Sequence, residues 1–233
     1  MDIITVDFET AYGAKWKLGF KHQTTQQYLN DPRFEVICVA VKVNNTETVS
    51  CTGDKQYIQD FLDMFDFENS AVLAHNAVFD ASILAWHFNI KPKLILDTLS
   101  MARAVHGTEA GGSLKALAAR YKLGVKGEEV LQAEHKFRKD FSDADMEAYM
   151  AYCRNDVDLT YNLYLTMARR FNKVELRLID MTCRMHSEPQ FTLDMDVLND
   201  MLYKLKLEKE AMLETCNVTR EDLMSNDKFA ELL

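Results

Sequence analysis

Proline is almost missing from this chain, with 3 residues in 233, and glycine is sparse at 8. With 48% apolar residues, such a composition excludes a linker or a disordered tail and leaves an ordered protein with a real core. Cysteine is scarce and scattered, at Cys38, Cys51, Cys153, Cys183 and Cys216, and no C-x-x-C pair occurs. That argues against a disulfide framework or a zinc site and makes a reducing cytoplasm the expected location. No apolar run approaches the ~20 residues a membrane-crossing helix needs, so no membrane partner is expected. The opening MDIITVDFET has no basic stretch before an apolar one and does not read as a signal peptide.

Positive charge is also in short supply. The chain carries 27 basic and 36 acidic side chains, a formal net charge of −9. A protein that grips nucleic acid by bulk charge should be basic. Two segments run against the trend. Residues 13–33 (with Lys15, Lys17, Lys21 and Arg33) and residues 120–139 (with Arg120, Lys122, Lys126, Lys136, Arg138 and Lys139) each sum to +3, leaving −15 for the rest. Either could steer a phosphate backbone or be a solvated loop.

The hydrophobic pattern predicts an α/β protein that becomes all-helical. Residues 2–8, 34–43, about 46–52, 71–75 and 94–97 are short β-branched or apolar runs and read as strands. The second and third, joined at Asn44-Asn45, resemble a hairpin. Helical periodicity is predicted over 24–30, 54–66, 77–89, 98–106, 113–121 and 143–170. Strands followed by alternating helix and strand imply a mixed sheet with helices on its faces. After residue 171 only helical patterns remain, over 172–186 and 195–216.

Three acidic elements carry the chemistry. Asp7 and Glu9 lie at the end of the first strand, two apart and so on one side of it. Adjacent carboxylates repel unless a cation sits between them, which makes the pair a natural hard-metal ligand set. Asp80, in His75-Asn76-Ala77-Val78-Phe79-Asp80, falls in the first turn of a helix after a strand, where α/β sheets place ligand sites. A plainer reading makes Asn76 the helix N-cap and Asp80 a partner of the helix dipole. Tyr152 and Asp156, four apart on a later helix, share one face, whereas Asp158 projects to another side. Each element alone recurs by chance in many proteins.

Their order is more informative. D-x-E after the first strand, N-x-x-x-D at a strand–helix junction and Y-x-x-x-D on a long helix resemble the DEDD exonucleases of the Tyr subtype. The chain is similar to the proofreading domain of family A, polymerase I-like DNA polymerases, and especially their bacteriophage members. Further landmarks are Val78 to Leu84, Asp97-Thr98-Leu99, Ser113 to Ala118 and Tyr152 to Thr160. The resemblance implies a ribonuclease H-like fold with a five-stranded mixed sheet flanked by helices. It implies two divalent ions, Mg²⁺ or Mn²⁺, with Asp7 bridging both, Glu9 and Asp156 completing the site of one, Asp80 holding the other and Tyr152 orienting the attacking water. The implied substrate is the 3′ end of single-stranded DNA or a frayed primer terminus. The candidate substrate contacts beside these carboxylates are Thr10, Tyr12, His75, Asn76 and Phe79.

The expected division is an exonuclease domain over 1–171 and a helical connector over 172–233. Pro189 to Asp194 and the helix after it resemble the entry to a family A polymerase, whose palm and fingers have no counterpart here. A polymerase domain normally follows in the same chain, so the sequence reads as a piece of a larger enzyme or a split gene product, in the host cytoplasm if of phage origin. Three other readings stand beside this one. They are a stand-alone exonuclease of the same superfamily acting on RNA or DNA, a catalytically dead scaffold, and a ribonuclease H-like endonuclease or integrase.

Overall fold

The first apolar run forms β1 (Ile3–Thr10), the centre of a five-stranded sheet. The computed structural model describes residues 1–13, 23–127, 133–216 and 218–232. The other strands are β2 (Val36–Val43), β3 (Val49–Cys51), β4 (Ala71–Ala74) and β5 (Leu94–Asp97), in the spatial order β3-β2-β1-β4-β5. β1 pairs antiparallel with β2 and parallel with β4, and β5 continues the parallel half. β2 and β3 are the expected antiparallel hairpin, with Asn44 supplying a positive φ of 49° at its turn. β3 is shorter than its sequence pattern predicts, because pairing with β2 runs only from Val49 to Cys51.

The helices follow the predicted order. α1 is Thr25–Leu29, α2 Lys55–Leu62, α3 Val78–His87, α4 Thr98–His106, α5 Leu114–Tyr121 and α6 Asp143–Met167. α6 begins where the Ser142 hydroxyl accepts from the Asp145 N–H. Its buried residues Met146, Tyr149, Cys153, Asp156, Thr160, Leu163 and Met167 recur at alternating three- and four-residue steps, so one stripe lies against the sheet. The sheet alternates accordingly. Phe8 points away from α6 and stacks on Phe88 at the end of α3, 5.9 Å between ring centres, whereas the Asp7 carboxylate meets Cys153 of α6. Asp158 faces β2 and β3 and accepts from Lys42 Nζ at 2.9 Å and Thr48 Oγ1 at 2.6 Å, away from the catalytic candidates.

α7 (Lys173–Ser187) covers the outer strand β5. Asp180 Oδ1 accepts the Ile95 N–H at 2.7 Å, which would otherwise be an unpaired edge donor, and Trp86 Nε1 donates to the Ser187 carbonyl at 2.8 Å. The first compact unit accordingly runs from Met1 to Pro189. The second, Gln190–Leu233, comprises α8 (Met195–Cys216), α9 (Arg220–Met224) and α10 (Asn226–Leu232). Among the described residues no helix is long and apolar enough to cross a membrane. Lys15, Lys17 and Lys21 of the basic insertion lie outside the described residues; Arg33 is paired with Asp31 at 2.6 Å.

Candidate active site

Three elements bring the acidic residues together. Asp7 and Glu9 end β1, just before the register of the β1–β2 ladder shifts between Glu9 and Thr10. Asp80 enters from the first turn of α3, and its Oδ1 accepts the Phe8 N–H at 3.2 Å, locking helix to strand between the other two carboxylates. Asp156 and Tyr152 come from the buried stripe of α6.

Two neighbours on that stripe were not singled out from the sequence. Tyr149 is buried, and its hydroxyl donates to Glu9 Oε2 at 2.7 Å. Its ring is stacked between Phe141 at 5.3 Å and Tyr152 at 6.0 Å. The Cys153 thiol sits 3.4 Å from the Asp7 carbonyl oxygen and 3.6 Å from its Oδ2. One ligand atom each from Asp7, Glu9 and Cys153 lies within 4.8 Å of the others. A signal for both existed: 149, 152, 153 and 156 share one helix face. The third residue, Lys126, stands out in the sequence only as part of a basic segment, and nothing there ties it to Asp156. Its ammonium pairs with Asp156 Oδ2 and lies 5.0 Å from the Tyr152 ring centre.

The electrostatics are those of crowded, desolvated anions. Burial and then the charge of Asp156 raise the Asp7 carboxyl to about 7. Glu9 is pushed well above its ordinary value by burial and by Asp7, against the hydrogen bond from Tyr149. Asp80 is raised well above its own by burial and Asp7, against the Phe8 N–H. Burial, followed by the charges of Glu9, Asp156 and Asp7, holds the Tyr152 phenol far above its usual range. Burial likewise keeps Cys153 a thiol rather than a thiolate. Such a site suits a hard divalent cation: carboxylate oxygens converge, their mutual repulsion is costly, and no thiolate or imidazole competes as a soft ligand.

The expected substrate contacts surround this cluster, several with roles of their own. Thr10 Oγ1 is 2.8 Å from the Tyr28 hydroxyl, which itself donates to the Ala11 carbonyl at 2.7 Å, so Thr10 is the donor to Tyr28. Tyr12 is half-buried, and its carbonyl accepts from the His135 N–H at 2.8 Å. Phe79 is half-buried, with its ring 6.1 Å from that of Tyr28. His75 uses both ring nitrogens: Nε2 donates to the Gly112 carbonyl at 2.9 Å, so Nδ1 accepts from Thr98 Oγ1 at 2.8 Å. Burial lowers its pKa, in keeping with that neutral tautomer.

Asn76 is exposed and is not the N-cap of α3. That position is Ala77, with no side-chain cap, and Asn76 holds a positive φ of 69°. Asp97 holds this junction from across the sheet: its Oδ1 accepts the N–H groups of Asn76 at 2.8 Å and Ala77 at 3.2 Å, just before the helix. The same carboxylate caps its own helix through Leu99 and Ser100. An Asn tolerates the left-handed conformation that this junction requires, which is why the residue type fits although the capping role does not.

A mixed sheet with this acidic cluster at the end of its central strand is the architecture of a ribonuclease H-like nuclease. Residues 7–172 match the family described as 3′-5′ exonuclease, and the chain belongs to that family. Among solved structures, Brucella melitensis NrnC superposes with a TM-score of 0.58 at 15% identity, over 80% of this chain and 83% of that one. Trypanosoma brucei RNase D in complex with RNA U12 gives 0.57 at 14% identity, over 82% of this chain and 65% of that one. The family B DNA polymerase of Pyrobaculum calidifontis gives 0.52 at 15% identity, with 24% of that chain covered. No curated protein sequence is a match for this one.

Proposed function

We propose that the chain is a metal-dependent 3′→5′ exonuclease that works on nucleic acid as a stand-alone enzyme, releasing nucleoside 5′-monophosphates. The observation carrying this reading is the convergence of Asp7, Glu9, Asp80 and Asp156 from three elements, with Tyr152 one helical turn before the last of them on the same buried face. In this reading the four carboxylates hold two divalent ions, Mg²⁺ or Mn²⁺. Bound there, such ions supply the positive charge that activates water and stabilises an in-line phosphoryl displacement. The chain's own residues do the positioning. Tyr149 fixes Glu9, the Phe8 N–H fixes Asp80, and the protonated Tyr152 offers a hydroxyl to orient the nucleophile. In this reading Asn76, Tyr12 and Phe79 would contact a terminal nucleotide, while Thr10 and His75 would act by shaping its entrance.

The stand-alone reading draws on the extent of the NrnC likeness, which spans 83% of that protein, and a NrnC structure is bound to pGG. A short oligonucleotide is accordingly the first substrate to offer. The resemblance of Tyr152 to Thr160 and of the other landmarks to polymerase proofreading domains favours a second reading, in which the same site edits DNA primer ends. Digestion of 5′-labelled RNA and DNA oligonucleotides with Mg²⁺, with and without chelator, tests both. A descending ladder abolished by chelation is expected, with RNA or very short substrates preferred by the first reading and frayed DNA termini by the second. Cutting of a closed circular substrate, or a ladder that persists in chelator, would overturn the exonuclease proposal.

A further inference from the structure

The acidic cluster carries its own cation. Lys126 belongs to the segment that leaves α5, which is tied to α6 where Asn155 Nδ2 donates to the Val125 carbonyl at 3.1 Å. From there the ammonium reaches Asp156 across the face of Tyr152. The Asp156 side chain is 3% exposed and that of Lys126 is 22% exposed, so the ammonium enters from the solvent side. Its charge is felt beyond its partner, opposing the upward shifts of both Asp7 and Glu9. A buried carboxylate among other carboxylates needs a counter-charge, and an ammonium and a hard divalent ion compete for the same oxygen.

We infer that Lys126 is a counter-ion built into the site: it is seated on Asp156 while the site holds no metal, and it is released from Asp156 when metal is loaded. It therefore sets the affinity for metal rather than simply pinning its segment to α6. The inference rests on the reading of Asp156 as a metal ligand. It makes Lys126 a positioning residue, and it gives the metal-free protein a way to keep four carboxylates folded together before metal binds.

The test is direct binding of Mn²⁺ to the full chain by calorimetry and electron paramagnetic resonance, for wild type, Lys126→Met and Lys126→Arg. Removing a competing charge from a carboxylate is worth a pKa unit or more, so Lys126→Met should bind Mn²⁺ about tenfold more tightly. Lys126→Arg, which keeps the charge, should stay near wild type. Unchanged or weaker binding by Lys126→Met overturns the inference. A second measurement needs no variant: acetylation of Lys126, read by mass spectrometry, should rise when Mn²⁺ is added while other lysines stay constant. Equal labelling with and without Mn²⁺ overturns it too. Wild type that binds no Mn²⁺ would overturn the metal reading of the site and this inference with it, whereas equal binding by wild type and Lys126→Met would overturn the counter-ion alone.

Discussion

Replacing Tyr149 by Phe removes one oxygen atom and leaves the rest of the side chain in place. That oxygen donates to Glu9 Oε2 at 2.7 Å, and both residues are buried. The ring keeps its stacking on Phe141 and Tyr152, so little packing is lost. A hydrogen bond to a charged acceptor is worth roughly 1.5–3 kcal/mol. Partners of this kind behind a metal ligand typically change affinity or activity by about 10- to 100-fold, the same range in free energy. We expect Tyr149→Phe to lose roughly that factor in single-turnover rate at limiting Mg²⁺. Because the defect lies in how Glu9 is held, excess Mg²⁺ should restore part of the loss. The melting temperature should fall by about 3–12 °C, corresponding to about 1.5–3 kcal/mol. The assay is a quenched-flow digestion of a short 5′-labelled substrate across a Mg²⁺ titration. A wild-type rate at limiting Mg²⁺, with an unchanged Mg²⁺ dependence, would refute the assignment of Tyr149 to the support of Glu9.

Tyr152→Phe should behave differently: kcat falls by orders of magnitude while KM changes little and excess Mg²⁺ gives no rescue, and a wild-type kcat would remove the hydroxyl from the mechanism. Asp97→Ala strips acceptors from Asn76, Ala77, Leu99 and Ser100 together, so a loss of about 3 kcal/mol and about 10 °C in melting temperature is expected; a melt within 2 °C of wild type, on the scale of about 1 kcal/mol, would contradict the capping role. Asp158→Asn, on the far side of α6, should leave the rate near wild type, and a dead variant would show that the site boundary is drawn too tightly. For pH, the Asp7 carboxyl is raised from 3.8 to about 7 in the folded, metal-free protein, so the stability it contributes is full below about pH 4 and is lost as pH rises towards 7. Glu9 and Asp80 are raised too and act in the same direction. In chelator the wild type should therefore lose more stability between pH 4 and pH 7 than Asp7→Asn does, and saturating Mg²⁺ should remove the difference; parallel melting curves for the two proteins would count against the crowding argument.

What the sequence made legible depends on the range of the interaction. β1, β4 and β5 could be found because a buried strand writes its burial into consecutive residues, as in Ile3 to Val6 and Ala71 to Ala74. The four candidate carboxylates and Tyr152 could be proposed because pairs of them keep a fixed spacing along one element and the elements follow one another in the order of a known family. Lys126 could not, since nothing in its neighbourhood says that its segment approaches Asp156, 30 residues later. The start of α3 is hidden for the same reason: Asn76 is a plausible cap locally, but Asp97 reaches over from β5 to hold the N–H groups of Asn76 and Ala77, and the helix starts one residue later than an Asn76 cap implies. Tyr149 is an intermediate case. Its helix face was readable, but its contact with Glu9, 140 residues away, depends on how α6 crosses β1.

The central place of β1 has a consequence for how the protein loses function. At Ile4 and Thr5 it has a paired strand on each side, whereas from Val6 to Thr10 its only paired strand is β2, and the Phe8 N–H is held by Asp80 of α3 instead. Asp7 and Glu9 therefore ride on the half of the strand that α3 and α6 hold in place of β4, and they stay in position only while both helices remain packed on it. Inactivation by denaturant should run together with global unfolding of the first unit rather than precede it, unlike enzymes whose chemistry sits on surface loops. Hydrogen exchange should show Ile4 and Thr5 among the slowest amides, protected for as long as the nuclease can work.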